Sequence, residues 1–290
     1  MKSFSPKLFL TAEWRWLAML NYEIDPKALA PFVPAGTELD FWNGKTYVSL
    51  VGFLFQNARV RGIAVPFHRH FEEVNLRFYV RHNADDGWRR GVVFIKEFVP
   101  RRAIACIARA FYNENYFALP MSHHIEPLNR SCRPALQTAC GLFPLSQRER
   151  AGVRENRSNQ NTLPVRSNNE DTTKVDNAFN VSYTWRFKRR ENFLKVITRG
   201  TAQTPAAGSQ QEFIAEHYWG YVRQRDGSTV EYRVEHPRWR TWETETAELN
   251  CDVANLYGKE FCKFLDCPAA SAFLADGSEM KLYNGVKLKG

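Results

Sequence analysis

The chain has 290 residues, of which 44% are hydrophobic and 14% are aromatic, so it can bury a sizeable core in one large domain or two small ones. Its formal charge of +9 is compatible with nucleic acid, but the basic residues are scattered along the sequence. Net charge alone supports only solubility and weak non-specific contact, so we expect no specific nucleic-acid partner.

The cysteines and the N-terminal segment both favour a cytoplasmic protein. The six cysteines contain no CxxC pair, and their spacing matches neither a zinc site nor a disulfide framework. The N-terminal residues lack the apolar core of about 7–15 residues that a signal peptide needs. No apolar run approaches the ~20 residues of a membrane span. We therefore expect a cytoplasmic protein with reduced thiols and no membrane partner.

The first half of the chain predicts one short helix and several hairpin-linked strands. Asp25 and Pro26 suit the N-cap and the first position of a helix. The turns Asn43-Gly44 and Asp85-Asp86-Gly87 each predict a β-hairpin. The predicted elements are a strand-like or amphipathic opening at Leu8–Tyr22, a helix within Ile24–Phe32, strands at Leu39–Trp42, Thr46–Gln56, Ala58–Val65, Phe71–Arg81 and Gly91–Val99, and a helix crossing the sheet at Arg101–Tyr112.

The composition changes between Ser131 and Asn177. That stretch has one aromatic residue, Phe143, and is rich in Asn, Ser, Thr and Arg without periodicity. Such a segment cannot bury enough apolar area to offset the entropy of ordering it. We interpret 131–177 as a disordered in-frame insertion that interrupts a single domain spanning 1–290, because the strand pattern resumes after it.

The second half of the chain again consists mainly of predicted strands. Together with the first half they make about ten strands, mostly linked by hairpins, which is typical of a mainly β fold with a few helices, arranged as a largely antiparallel barrel or sandwich. The predicted elements are strands at Phe179–Arg189 and Asn192–Arg199, a strand pair at Glu212–Tyr221 and Thr229–Val234, short helical turns at Val253–Tyr257 and Glu260–Leu265, and a terminal hairpin from Ser271–Leu274 to Met280–Val286 around Asp276-Gly277.

The segment Phe71–Val80 alternates with period two, the pattern of a strand with two unlike faces. One face carries an acid, an amide, a guanidinium and a phenol, and it is either a solvated exterior or a polar interior that binds a ligand. The polar face comprises Phe71, Glu73, Asn75, Arg77 and Tyr79, and the apolar face comprises Val74, Leu76, Phe78 and Val80.

Several motifs resemble those of the YqjF-like family, domain-of-unknown-function family 2071. They are TAEWRWLAMLNYEIDP (11–26), PAGTELDFWNGKTYVSLVGF (34–53), PFHRHFEEVNLRFYV (66–80), RRGVVFIKEFVPRRAIACIAR (89–109), YNENY (112–116), EHYWGY (216–221), YRVEHPRW (232–239) and FLADGS (273–278). That family is similar to the acetoacetate-decarboxylase-like superfamily. The resemblance implies a curved antiparallel β-barrel with a ligand cavity, often assembled into homo-oligomers.

The same resemblance shows that this chain lacks a lysine pair expected of acetoacetate decarboxylases. Acetoacetate decarboxylases form a Schiff base through a lysine whose pKa is depressed by a second lysine, beside an active-site glutamate that Glu73 resembles. The lysine pair should follow the crossing helix, where this chain reads AFYNENYFALPM (110–121) and contains no lysine. This departure removes the nucleophile that decarboxylation by that route requires.

The polar face and the loop after the crossing helix form the predicted site. We expect Glu73 to accept or donate a proton and Arg77 to pair with a carboxylate ligand. The other predicted ligand contacts are Asn75, Tyr79, Tyr112, Asn113, Glu114 and Tyr116. The expected partner is a small acidic or carbonyl-bearing molecule, bound without a cofactor, and an enzyme of this kind would be lyase-like or hydrolase-like.

Two alternatives remain open at the level of sequence. A relocated lysine, Lys96, expected on one face with Phe94 and Phe98, could form the Schiff base of a decarboxylase. The alternating His68, His70 and Glu72 resemble a cupin-like metal site, to which His217 could add a ligand. Glu97 is expected on the face opposite Lys96, paired with Arg81 or Arg90. The chain contains no GxSxG, Walker or GxGxxG motif.

Overall fold

The computed structural model describes residues 6–64, 69–100, 115–128 and 178–288. Strands dominate these residues: β1 (Leu8–Ile24), β2 (Glu38–Leu39), β3 (Thr46–Val60), β4 (Ile63–Ala64), β5 (Phe71–Ala84), β6 (Gly87–Val99), β7 (Tyr116–Ala118), β8 (Met121–Leu128), β9 (Ala178–Phe187), β10 (Arg190–Gln203), β11 (Trp219–Arg223), β12 (Thr229–Glu235), β13 (Thr241–Asn250), β14 (Ser271–Tyr283) and β15 (Val286–Lys287). The helices are α1 (Pro26–Leu29), α2 (Gln210–Ala215), α3 (Val253–Leu256) and α4 (Lys259–Leu265), with a 3₁₀ turn at Ala30–Phe32.

Seven strands of the described part close into a ring. Their order is β12-β11-β6-β5-β3-β1-β14, and β14 pairs back to β12 through Val234 with Leu282 and Glu235 with Lys281. The pairings around the ring are antiparallel except for β6 with β11, which run parallel. The predicted mainly β, largely antiparallel fold is therefore confirmed, and the closure gives the sheet an inside and an outside.

A second layer covers the outside of the ring. Beyond β14 the sheet continues through β13, β10, β9 and β8, and it folds back over β1, β3 and β5. The apolar face of β5 packs into the core between these layers, together with α3 and α4. Because one face of β5 is committed to this core, its polar face must point into the ring.

Gly52 and Tyr183 are in direct contact between the two layers. A Cβ atom at Gly52 on β3 would lie 2.6 Å from Cδ2 of Tyr183 on β9 and 3.0 Å from a methyl group of Leu194 on β10. Tyr183 is fully buried, and its hydroxyl donates to the carbonyl of Trp16 at 2.8 Å. A glycine is therefore required at this point for the layers to approach each other.

Helix α2 packs on the inner side of the ring. It begins at its N-cap Ser209, whose hydroxyl accepts from the backbone N–H of Glu212. Phe213, Ile214 and Ala215 are buried in the inner core, and the ring of Phe213 packs edge-on against Tyr79. The helix thereby brings the segment that follows it to the interior of the ring.

The local helix and turn predictions in the first half are partly confirmed. Asp25 caps α1 and Pro26 is its first residue. The hairpin around Asp85-Asp86 connects β5 to β6, which begins at Gly87. The turn Asn43-Gly44 forms with positive φ at both residues, but it joins only the isolated bridge between Trp42 and Lys45. The preceding strand β2 pairs with β5 instead of β3, so the predicted pairing of that hairpin is wrong.

Two predictions in the second half are corrected. The segment predicted as a strand at Glu212–Tyr221 contains the end of helix α2 and only then strand β11. The predicted terminal hairpin is one continuous strand, β14, in which Gly277 has φ +77° and packs against the backbone of Trp14. The two short helices, α3 and α4, confirm the predicted helical turns.

The crossing helix predicted at 101–112 and the insertion predicted at 131–177 lie outside the described residues. Within the residues that are described, none of the helices combines the length and the apolar character that crossing a lipid bilayer requires.

Gly52→Ala is expected to lower the free energy of unfolding by about 1–3 kcal/mol, because the added methyl group overpacks a filled interface between layers. Urea unfolding of the single variants and of Gly52→Ala combined with Tyr183→Leu measures this. The cost of the alanine should shrink in the Tyr183→Leu background. An equal cost in both backgrounds would show that Tyr183 does not require the glycine.

Candidate functional site

The ring encloses a cavity of about 180 Å³. Its described walls combine aromatic and aliphatic side chains with a small number of polar ones, which is the usual composition of a small-molecule site. The lining residues are Phe9, Leu10, Trp14, Leu17, Phe53, Phe55, Ala58, Val60, Phe71, Glu73, Asn75, Arg77, Val92, Phe94, Glu97, Tyr116, Ala215, His217, Trp219, Tyr232, Val234, His236, Trp239, Met280 and Leu282.

Strand β5 supplies a row of polar residues to this cavity. Glu73, Asn75 and Arg77 line the wall and are exposed by only 2%, 2% and 9%. Their neighbours on the other face of the strand are buried in the outer core. The structure thus resolves the question that the sequence left open, because the polar face points into an enclosed space and not into bulk water.

Glu73 is held by two hydrogen bonds. Asn75 Nδ2 donates to one carboxylate oxygen at 3.0 Å, and the Tyr116 hydroxyl donates to the other at 3.1 Å. Burial raises the pKa of Glu73 from 4.5 to about 7, because the charged form loses its hydration, while these two hydrogen bonds and the charge of Arg77 act in the opposite direction. A carboxyl group with this pKa can both give and take a proton near neutral pH.

Arg77 is a buried cation that lacks a carboxylate partner among the described residues. Its Nη2 donates to the carbonyl of Ile214 at 3.4 Å and lies 3.9 Å from Sδ of Met19. Its Nε has no hydrogen-bond partner in the part of the chain that the structure describes. Burial makes an incompletely satisfied charge costly, so a guanidinium that forms no ion pair with a described residue is a natural place for an anion to bind.

His217 also lines the cavity, a position that the sequence suggested only as a fourth metal ligand. Its ring lies 4.6 Å from that of Tyr79 and meets Phe213 edge-on. Neither ring nitrogen has a hydrogen-bond partner among the described residues, and Nε2 lies 4.0 Å from Oδ2 of Asp40. Burial, reinforced by Arg90 and Arg77, lowers the pKa of His217 well below its usual value, while the nearby backbone of Ile214 acts in the opposite direction. The imidazole is therefore neutral.

Tyr79, which was predicted to contact the ligand, is fully buried but is not among the described lining residues. Its hydroxyl lies 2.5 Å from Oγ of Ser49, which donates to Oδ1 of Asn21 at 2.6 Å. Asn21 Nδ2 donates in turn to Oγ of Ser271 at 3.1 Å. Tyr79 therefore packs against the ring of His217 and belongs to a hydrogen-bonded chain across the four strands β5, β3, β1 and β14.

Lys96 lies on the outer side of the sheet, separated from Glu73 and Arg77. The pairing of β5 with β6 shifts by one residue between Leu76 and Arg77, which is a β-bulge at Ile95. The bulge places Phe94 in the cavity wall while Lys96 donates to the carbonyl of Leu256. The expectation that Phe94 shares a face with Lys96 is therefore wrong, although burial does lower the pKa of the lysine.

Glu97 and Tyr116 also line the cavity. Glu97 is 1% exposed and lies opposite Asn75 in the pairing of β5 with β6. Its predicted partners are engaged elsewhere, because Arg81 pairs with Glu38 and Arg90 pairs with Asp40. The predicted ligand contacts Tyr112, Asn113 and Glu114 lie outside the described residues.

The structure gives the cupin-like alternative little support. His70 is exposed just before the start of β5, and His68 is outside the described residues. Glu72 is hydrogen-bonded to His123 at 2.7 Å, whereas His217 lies among Tyr79, Phe213 and Asp40. The described residues contain no group of three or more His, Cys, Asp or Glu side chains that could hold a metal ion.

The sequence as a whole matches a known family. Residues 11–279 match DUF2071, a family described as an uncharacterised conserved protein. The chain belongs to this family. Another protein that it resembles is the uncharacterised protein YqjF of Bacillus subtilis (strain 168), at 31% identity over 109 residues, which are 37% of this chain and 43% of YqjF. The match thus spans less than half the length of that relative.

Several solved structures have a fold similar to that of this chain. The enduracididine biosynthesis enzyme MppR in complex with pyruvate has a TM-score of 0.58 at 11% identity, with 99% of this chain and 92% of MppR covered. Acetoacetate decarboxylase from Legionella pneumophila has a TM-score of 0.54 at 11% identity, with 100% of this chain and 93% of that chain covered. The DUF2071 chain therefore has the acetoacetate-decarboxylase-like fold.

Glu73→Gln is expected to stabilise the protein more at pH 8 than at pH 5. A carboxyl group whose pKa rises on folding favours the folded state below its unfolded pKa near 4.5 and costs stability as the pH rises toward 7. Glutamine mimics the protonated acid at every pH. The difference in free energy of unfolding between variant and wild type should increase by roughly 2 kcal/mol from pH 5 to pH 8. Urea unfolding at both pH values measures it, and a constant difference would contradict the raised pKa.

Proposed function

We propose that this protein binds a small carboxylate that also carries a carbonyl or hydroxyl group, and that Glu73 moves a proton on the bound molecule. The observation that carries the proposal is Arg77, a buried cation on the cavity wall without a carboxylate partner among the described residues. An incoming carboxylate supplies the missing charge through charge-assisted hydrogen bonds, which are stronger than neutral ones.

The position of Glu73 supports the second half of the proposal. It lies on the same strand face as Arg77, so a ligand whose carboxylate binds Arg77 presents its neighbouring atoms toward Glu73. With a pKa of about 7, Glu73 is available as both acid and base at neutral pH. A lyase-like or isomerising step that removes a proton next to a carbonyl group fits these properties.

The described lining residues favour acid–base chemistry over a Schiff base. None of them is a lysine, and Lys96 donates to a backbone carbonyl on the other side of the sheet. The similar fold of MppR, which was solved with the 2-oxo carboxylate pyruvate, supports a ligand with this charge and these functional groups. We propose that the same type of molecule binds here without covalent attachment.

Arg77→Met is expected to weaken binding of pyruvate or acetoacetate by about tenfold to a hundredfold, because it removes a charge-assisted hydrogen bond but keeps an unbranched side chain in place of the arginine stem. Thermal-shift titration and calorimetry of the full chain measure this. Arg81→Met is the matched control, since Arg81 is on the same strand but pairs with Glu38 away from the cavity. Equal affinities in wild type and Arg77→Met would remove the basis of the proposal.

Glu73→Gln is expected to abolish exchange of the pyruvate methyl protons with deuterated water, with a loss of at least about a hundredfold in the catalysed rate. Glutamine cannot take up the proton but preserves the shape of the side chain. Proton NMR at pH 8 follows the exchange, and borohydride treatment of the same mixture tests for a covalent adduct. Exchange that persists in the variant, or a trapped lysine adduct, would contradict noncovalent catalysis by Glu73.

A further inference from the structure

The cavity has a polar side and an aromatic side, and each side restricts the ligand. The polar side includes Glu73, Arg77 and His217 beside the other polar lining residues described above. The aromatic wall is formed by Trp14, Phe53, Phe55, Phe71 and Trp239, and His236 stacks on Trp239 at 4.3 Å. We infer that the ligand is an aromatic 2-hydroxy- or 2-oxo-monocarboxylate, with its carboxylate at Arg77, its second oxygen at His217 and its ring against the aromatic wall. This inference rests on the proposed function and narrows it.

The aromatic wall is preorganised by contacts among its own rings. Trp14 meets Phe53 edge-on with ring centroids 5.9 Å apart, and it meets Trp239 at 6.1 Å. Phe55 stacks on Phe71 at 4.7 Å. Such edge-on and stacked arrangements hold rings in defined orientations, so the wall presents fixed apolar faces that suit a flat ring better than a flexible polar chain.

The volume of the cavity suits one ring and one carboxylate. A cavity of about 150 Å³ lined by apolar side chains is known to accommodate benzene. The 180 Å³ available here exceeds that volume by about the space of a small substituent. A ligand of two or three carbons would leave much of the aromatic wall without contacts.

His217 provides the second polar anchor. It is buried, and neither of its ring nitrogens makes a hydrogen bond of good geometry with the described residues, although the backbone of Ile214 lies nearby. A neutral imidazole offers one donor and one acceptor, so it can hydrogen-bond to a hydroxyl or a carbonyl oxygen. A ligand that hydrogen-bonds to these nitrogens gains free energy, because it satisfies buried polar groups.

Arg77 and His217 are close enough to act on one small molecule. Arg77 donates to the carbonyl of Ile214, which lies in the last turn of α2 and precedes His217 by three positions. Arg77 also lies 5.9 Å from the ring of Tyr79, against which His217 packs. A carboxylate and an oxygen on the adjacent carbon, separated by a single bond, match two anchors that are this near to each other.

Calorimetry of the full chain with four probes tests the inference: mandelate, phenylacetate, lactate and benzyl alcohol. Mandelate should bind at least tenfold more tightly than lactate, which lacks the ring, and severalfold more tightly than phenylacetate, which lacks the hydroxyl. Benzyl alcohol, which lacks the carboxylate, should bind more weakly than mandelate. In His217→Phe, with a melting temperature equal to that of the wild type, mandelate should lose its advantage over phenylacetate.

The outcomes separate this inference from the function on which it rests. If lactate binds as tightly as mandelate, the aromatic ligand class is wrong but a carboxylate site at Arg77 stands. If mandelate and phenylacetate bind equally to the wild type, the role of His217 is wrong, and this comparison holds even if His217→Phe does not fold. If none of the three acids binds, both the inference and the proposed function are wrong.

Discussion

Both faces of β5 are buried, and the rest of the structure depends on this constraint. One face packs under the second layer of the sheet, and the other faces the inside of the ring. A strand in this position normally carries apolar residues on both sides. Here the inner face instead carries Glu73 and Arg77, two ionisable groups in an environment with little water.

Burial of Glu73 and Arg77 costs free energy, and the same burial gives the two groups the properties that a binding site needs. In water, a glutamate has a pKa near 4.5 and an arginine interacts only weakly with a dissolved carboxylate. Inside the ring, the pKa of Glu73 lies near 7, and the guanidinium of Arg77 is only partly satisfied by a carbonyl and a thioether. The strands rather than loops hold these groups, so their positions are fixed by the register of the sheet.

The sequence predicts the elements of the structure better than it predicts their partners. The alternation in β5 identifies the polar row, and Asp25 with Pro26 identifies the start of α1, because each signal acts over a few residues. The bulge at Ile95 leaves no such signal, so Lys96 and Phe94 were expected on one face. His217 is distant from β5 in sequence, and only the packing of α2 brings it to the cavity.

The hydrogen-bonded chain from Tyr79 through Ser49 and Asn21 to Ser271 helps to fix the register of the four strands that it connects. Moving a strand by two residues preserves the alternation of inner and outer side chains, so hydrophobic patterning alone tolerates that error. A hydroxyl has only one proton, and Ser49 gives its proton to Asn21, so the chain runs in one direction from Tyr79. A register shift of two residues would leave these buried polar groups without hydrogen-bond partners. The hydrogen-bonded chain therefore disfavours a mispairing that apolar side chains alone would permit.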